Sequence, residues 1–238
     1  MSNHESKGAF ARRAFLSKLG LGVTGGAALG SGTASAQTRS SGEAGQFRPA
    51  RYDQDDWLDR VPGKHRFVFD TMTVAGLGEG LAFMTNYFNA SRNGYGLQDE
   101  DIAAVIVMRH LATPFAYNEA MWAKYGVQIT QRTRFNDPKT NQPPKINLYN
   151  ATDYGPQLSN RGNTLEGLLK RGVHLAVCQL STRAYSTAIA EATGQTADGV
   201  YKELTSNLAG PNAHMVPAGI VAVNRAQERG YSLSTPIA

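Results

Sequence analysis

Gly172-Val173-His174-Leu175-Ala176-Val177-Cys178-Gln179-Leu180-Ser181-Thr182-Arg183 decides the fold. Its apolar core is too short for a helix, is rich in Val and Leu, and lies between a glycine and the polar Ser181-Thr182 pair. It reads as a buried strand turning into a helix N-terminus. The chain's only cysteine stands at that junction. In parallel α/β sheets, ligands bind beyond the carboxyl ends of the strands. A helix N-terminus there favours thiolate over thiol. Cys178 is therefore a candidate nucleophile. A small buried hydrophobe closing a strand is the other reading of the same residue.

Working outward, the same grammar recurs. Lys64 to Asp70 is a strand candidate, followed by a turn at Gly76-Leu77-Gly78 and a helix from Glu79 to Arg92. Ile102 to Met108 is an unbroken apolar run, the signature of a strand buried on both faces. Thr113 and Pro114 are placed as N-cap and first residue of a helix reaching about Tyr125, with Gly126 at its end. Residues 128–163, with four prolines and many Asn and Asp, read as a long loop insert, either an ordered lid or an oligomer arm. Thr164 to Lys170 is a short helix. After Cys178 come a helix beginning at Ser181, a second helical stretch from Ala197, a short strand at Ala213–Val216, a helix from Ile220 and an edge strand near Tyr231. Strands alternating with helices predict an α/β fold, a parallel sheet of about five strands with helices on both faces. No G-x-G-x-x-G follows the first strand, and no cofactor is expected.

In such a sheet Asp70, Thr71, Arg109, His110, Cys178 and Val216 share one edge. His174 precedes Cys178 by four residues on one strand, roughly 13 Å away, so it is no general base for that sulfur. His214 begins its strand and points to the same wrong edge. His110 and Arg109 are the residues placed to favour a Cys178 thiolate. The amides of Ser181 and Thr182 are placed to bind an anion. No H-x-x-x-H or H-E-x-x-H spacing occurs, so no metal site is expected. No G-x-S-x-G is present either, which argues against a serine hydrolase of that type.

Composition narrows the setting. Arg12-Arg13-Ala14-Phe15-Leu16 precedes a Gly/Ala-rich, mildly apolar run carrying six glycines between Gly20 and Gly32, and Ala34-Ser35-Ala36 offers a cleavage site. Residues 1–36 read as a signal peptide of twin-arginine type rather than a membrane anchor, which implies export to a bacterial periplasm. Residues 37–60 then form a flexible tether, and residues 61–238 the folded domain with its insert. The formal charge of +5 falls to +2 without residues 1–36, which remove four basic residues and one acidic residue. No basic run with interleaved aromatics remains, so no nucleic-acid partner is expected. A single cysteine cannot form an internal disulfide.

Three segments resemble the DsrE/DsrF-like family, whose fold is also that of YchN-type proteins. They are Gly172 to Cys178 with Thr182 and Ala184, Val216-Pro217-Ala218-Gly219-Ile220-Val221-Ala222, and Ala226-Gln227-Glu228-Arg229-Gly230-Tyr231. The half around Met108-Arg109-His110 and Ala112 to Asn118 looks like an exported subgroup. The resemblance implies a homo-oligomer and, in some members, a cysteine that carries persulfide sulfur between a donor and an acceptor protein. Cys178 matches that cysteine. Export and the insert are departures from the family pattern. A non-catalytic module of the same fold, binding a small ligand or serving assembly, is the alternative.

Overall fold

The computed structural model describes residues 48–236. The signal-peptide reading of residues 1–36 and the first part of the tether, residues 37–47, lie outside them. A single five-stranded sheet, parallel throughout, organises the domain. In chain order the strands are β1 (His65–Thr71), β2 (Ile102–Met108), β3 (His174–Cys178), β4 (Ala213–Val216) and β5 (Ser232–Ser234). Their spatial order is β4-β3-β2-β1-β5. The helices are α1 (Trp57–Arg60), α2 (Val74–Tyr95), α3 (Glu119–Thr133), α4 (Leu165–Lys170), α5 (Gln179–Thr193), α6 (Ala197–Ser206) and α7 (Gly219–Gln227).

Side-chain alternation divides the core in two. Ile102, Ala104, Ile106 and Met108 of β2, with Leu175 and Val177 of β3, meet α2, α3, α4 and α5 on one face. Ala103, Val105 and Val107, with Ala176 and Val216, meet α7 and Trp57 and Leu58 of α1 on the other. Every residue of β2 is buried, as its unbroken apolar run requires. The folded body thus includes residues before position 61. Trp57 and Leu58 are buried, and the Tyr231 hydroxyl donates to the Leu58 carbonyl at 2.7 Å.

Four local expectations are corrected. The Gly76-Leu77-Gly78 turn is instead part of α2, which starts at Val74 because Thr73 caps it, its hydroxyl accepting from Gly76 N–H at 2.9 Å. Thr113 and Pro114 do not open α3. They sit in a 3₁₀ stretch, His110–Ala116, where the Thr113 hydroxyl donates back to the Met108 carbonyl. Asn118 is the cap of α3, accepting from Met121 N–H. Gly126 does not end α3, which continues to Thr133. A Cβ at position 126 would lie 2.0 Å from the Pro144 carbonyl oxygen, so this glycine lets the insert's backbone cross the helix. The insert proper is therefore 134–164. It is packed rather than extended: Leu148, Tyr149, Tyr154 and Leu158 are buried in the larger core. Lastly, α5 begins at Gln179 rather than Ser181, with Cys178 itself as N-cap.

Candidate functional site

The chain leaves β3 into α5 on one face of the sheet and leaves β4 into α7 on the other. Adjacent strands whose exits diverge in this way open a crevice at their carboxyl ends. Cys178 and Val216, paired across β3 and β4, stand at that point.

Parity then selects which side chains meet. Met108 pairs with Val177, so one step further along both strands sets Arg109 beside Cys178. Arg109 keeps extended geometry, with φ −129° and ψ 163°, and its N–H still bonds the Thr71 carbonyl, so the alternation holds one residue past the end of β2. Neighbouring strands lie about 4.8 Å apart. Asp70, Arg109 and Cys178 therefore fall on the same face, that of α7. Arg109 Nε and Nη2 donate to the two carboxylate oxygens of Asp70 at 2.7 and 2.8 Å, a fork-to-fork pair. The Asp70 side chain is 7% exposed and that of Arg109 22%. The hydrogen bond to Asp70 raises the Arg109 pKa, with further contributions from the Asp70 charge and from Cys178. The first turn of α7 abuts this pair: a Cβ on Gly219 would lie 2.6 Å from the Arg109 Cβ.

The sulfur is the cap of α5. Ser181 N–H donates to Cys178 Sγ at 3.4 Å, the role an N-cap oxygen normally plays. A thiolate at that position faces the positive end of a fifteen-residue helix. Cys178 is 6% exposed, so the sulfur lies just below the surface. Around it the edge is apolar and open: Met72, Leu180, Ile220 and Val221 are exposed.

The other expected site residues take different parts. The Ser181 amide donates to the sulfur, and the Ser181 hydroxyl donates to the His110 carbonyl at 3.0 Å. Thr182 is fully buried. Its hydroxyl donates to the Cys178 carbonyl at 3.0 Å and accepts from Tyr117 at 3.1 Å, so it braces the junction. Burial raises the phenol pKa of Tyr117, which stays a neutral donor. His110 enters the site through its backbone. Its φ of 54° turns the chain away from the strand direction, and its exposed imidazole makes no hydrogen bond or ion pair in the described chain. The sequence places Asp70 on this edge without marking it as the carboxylate partner of Arg109. Counting alternation from Val68 on β1 would have found it.

The histidines excluded from the site pair with each other at the opposite end of the sheet. His174 Nδ1 and His214 Nε2 are 2.9 Å apart, and Trp57 stacks on His214 with ring centroids 4.2 Å apart. Desolvation lowers both pKa values, that of His214 to about 4. No group of three or more potential metal ligands occurs among the described residues.

Fold and site together define an all-parallel α/β protein with a helix-capping cysteine at the crevice between β3 and β4, beside a carboxylate-anchored arginine. No protein-family model, curated protein or solved structure matches the chain.

Proposed function

We propose that the protein handles sulfane sulfur through Cys178, as the resemblance to DsrE-like proteins implies. The observation that supports this most directly is the placement of the sulfur. Its Sγ accepts the Ser181 N–H at 3.4 Å while Arg109 stands level with it on the neighbouring strand. Both groups stabilise a sulfur anion. In the proposed step the Cys178 thiolate attacks the outer sulfur of a donor persulfide. The donor's S–S bond breaks, a new S–S bond forms on Cys178, and the donor leaves as a thiolate. The exchange is redox-neutral and needs no resolving cysteine, which suits a chain with only one. Arg109, held by Asp70, and the α5 amides then balance the charge of the bound persulfide. His110 contributes its carbonyl to the Ser181 hydroxyl rather than a base. Export by the twin-arginine route to the periplasm, homo-oligomeric assembly and a donor or acceptor protein complete this reading. Among the described residues no helix is long and apolar enough to cross a membrane.

The test is intact-mass spectrometry of the native protein before and after exposure to glutathione persulfide. The expected product is one added sulfur per chain, absent in Cys178→Ser and removed by a thiol reductant. A native Cys178 that stays unmodified, and inert to a small disulfide reagent, sinks the proposal.

One observation favours a second reading, a non-catalytic assembly module. Cys178 is 6% exposed and closes a helix cap, which is also what a structural cysteine does. Under that reading Cys178→Ser keeps every property of the wild type except reactivity in unfolding conditions.

A further inference from the structure

A cavity of about 340 Å³ lies between the opening turn of α2, the end of α3 and the insert. Its walls include Val74, Ala75, Arg134, Phe135, Tyr149 and Ser159. That volume lies in the range of small-molecule sites.

The walls are held by specific contacts. The Tyr149 hydroxyl donates to the Val74 carbonyl at 2.6 Å, which ties the insert to α2. The phenol has one hydrogen, so its 3.0 Å contact with Ser159 must run from Ser159 to Tyr149. Asn147, fully buried, donates to the Phe115 carbonyl at 2.9 Å, and Glu119 accepts the Asn147 N–H. One wall is aromatic: half-buried Phe135 lines the cavity and is backed by the buried rings of Phe115 and Tyr149, with centroids 5.5 and 6.0 Å away.

Arg134 is the one charged residue in the lining. It caps α3 in the left-handed region, at φ 57°, a conformation disfavoured for a side-chain-bearing residue. Its guanidinium has no ion-pair or hydrogen-bond partner among the described residues. By contrast, Arg109 and Arg171 are each held by a carboxylate. The α2 turn on the other side carries no acidic residue. The nearby Asp137 is already engaged, accepting from the Tyr154 hydroxyl at 2.9 Å and from Lys139 N–H at 2.8 Å.

The geometry points to a binding site for a small aromatic carboxylate, its ring against Phe135 and Val74 and its carboxylate on Arg134. A flat apolar body uses the aromatic wall, and a single anionic group satisfies the one cation of the lining. The site does not depend on Cys178 and stands under either reading of that residue.

Isothermal titration of the full chain with 4-hydroxybenzoate and with the isosteric neutral 4-hydroxybenzamide tests it. The acid is expected to bind about tenfold more tightly than the amide, the worth of one charge-assisted contact. Arg134→Gln should bring the two probes to within about twofold of each other while leaving the melting temperature in place, since Arg134 is exposed. Ala75→Leu should abolish binding of both by filling the cavity. No binding of the acid at millimolar concentration overturns the inference. So do equal affinities for acid and amide, or inorganic phosphate competing as well as the acid. Persulfide loading of Cys178 is read separately by mass, so failure here leaves that proposal intact.

Discussion

Gly126→Ala and Gly94→Ala are the same chemical change in two helices, and the structure demands opposite outcomes. Propensity alone favours alanine at an interior helical position by about 1 kcal/mol. At Gly94 in α2 a new Cβ meets nothing within 4 Å. That variant should gain about 0.5–1 kcal/mol, with slightly less gain for being near the helix end. At Gly126 the Cβ would sit 2.0 Å from the Pro144 carbonyl oxygen and 3.2 Å from its carbon, where ordinary contact begins at 3.4 Å. The obstacle is backbone, and Pro143 stiffens it. Overpacking of this kind costs about 3 kcal/mol, which against the propensity gain leaves a net loss of about 2 kcal/mol. For a domain of this size that lowers Tm by about 4–8 °C. Urea unfolding followed by circular dichroism measures both variants, and the m-value checks that the unfolded reference has not changed. A Gly126→Ala protein more stable than wild type would mean that the insert does not cross α3 at Pro144. The description of the 134–164 segment would then fall with it.

Further outcomes follow from the two ends of the sheet. Asp70→Asn leaves the Arg109 guanidinium without its carboxylate. It should cost about 2 kcal/mol, below the usual figure for a buried pair because Arg109 keeps some solvent contact. Asp70→Asn combined with Arg109→Gln should recover part of that loss in the same urea assay. Arg109→Gln alone should slow iodoacetamide alkylation of native Cys178 at pH 7 by about tenfold, equivalent to about 1.4 kcal/mol of anion stabilisation. An unchanged rate would separate the sulfur from the guanidinium. Desolvation holds His214 down to about 4 from a usual 6.5, so the unfolded chain takes up a proton that the folded one refuses. Stability should therefore be flat above pH 6.5 and fall between about 6.5 and 4. After discounting for partial exposure the fall is about 1–2 kcal/mol. His214→Gln should flatten that window, read from urea midpoints across it. Tyr149→Phe removes the bond to Val74 and should cost about 1 kcal/mol while making the insert a preferred site of limited proteolysis.

Much of the fold was legible in short-range pattern. Ile102–Met108 and Leu175–Cys178 announce buried strands because a strand covered on both faces is apolar at successive positions. The alternation of strand and helix implies a parallel sheet because parallel strands need crossovers. The same counting puts Asp70, Arg109 and Cys178 on one face, and it rejects His174 as a partner for the sulfur on distance alone. What stayed hidden depended on contacts between residues far apart in the chain. Gly126 looks like a helix stop until Pro144 is seen to lie across it. Gly76 and Gly78 look like a turn until α2 is seen to pack under the insert. A Cβ at position 78 would strike Ser159 Oγ at 2.0 Å.

The composition and spacing of the chain determined an α/β sheet and the position of its single sulfur at a strand end, because periodicity and local caps are properties of a few consecutive residues. Tertiary structure alone decided the strand order β4-β3-β2-β1-β5, the divergence of α5 and α7 that opens the crevice at Cys178, and the Asp70 carboxylate as the partner of Arg109. Each of these turns on which faces meet across the sheet. That is settled by burying apolar area from distant segments together, and local pattern carries no record of it.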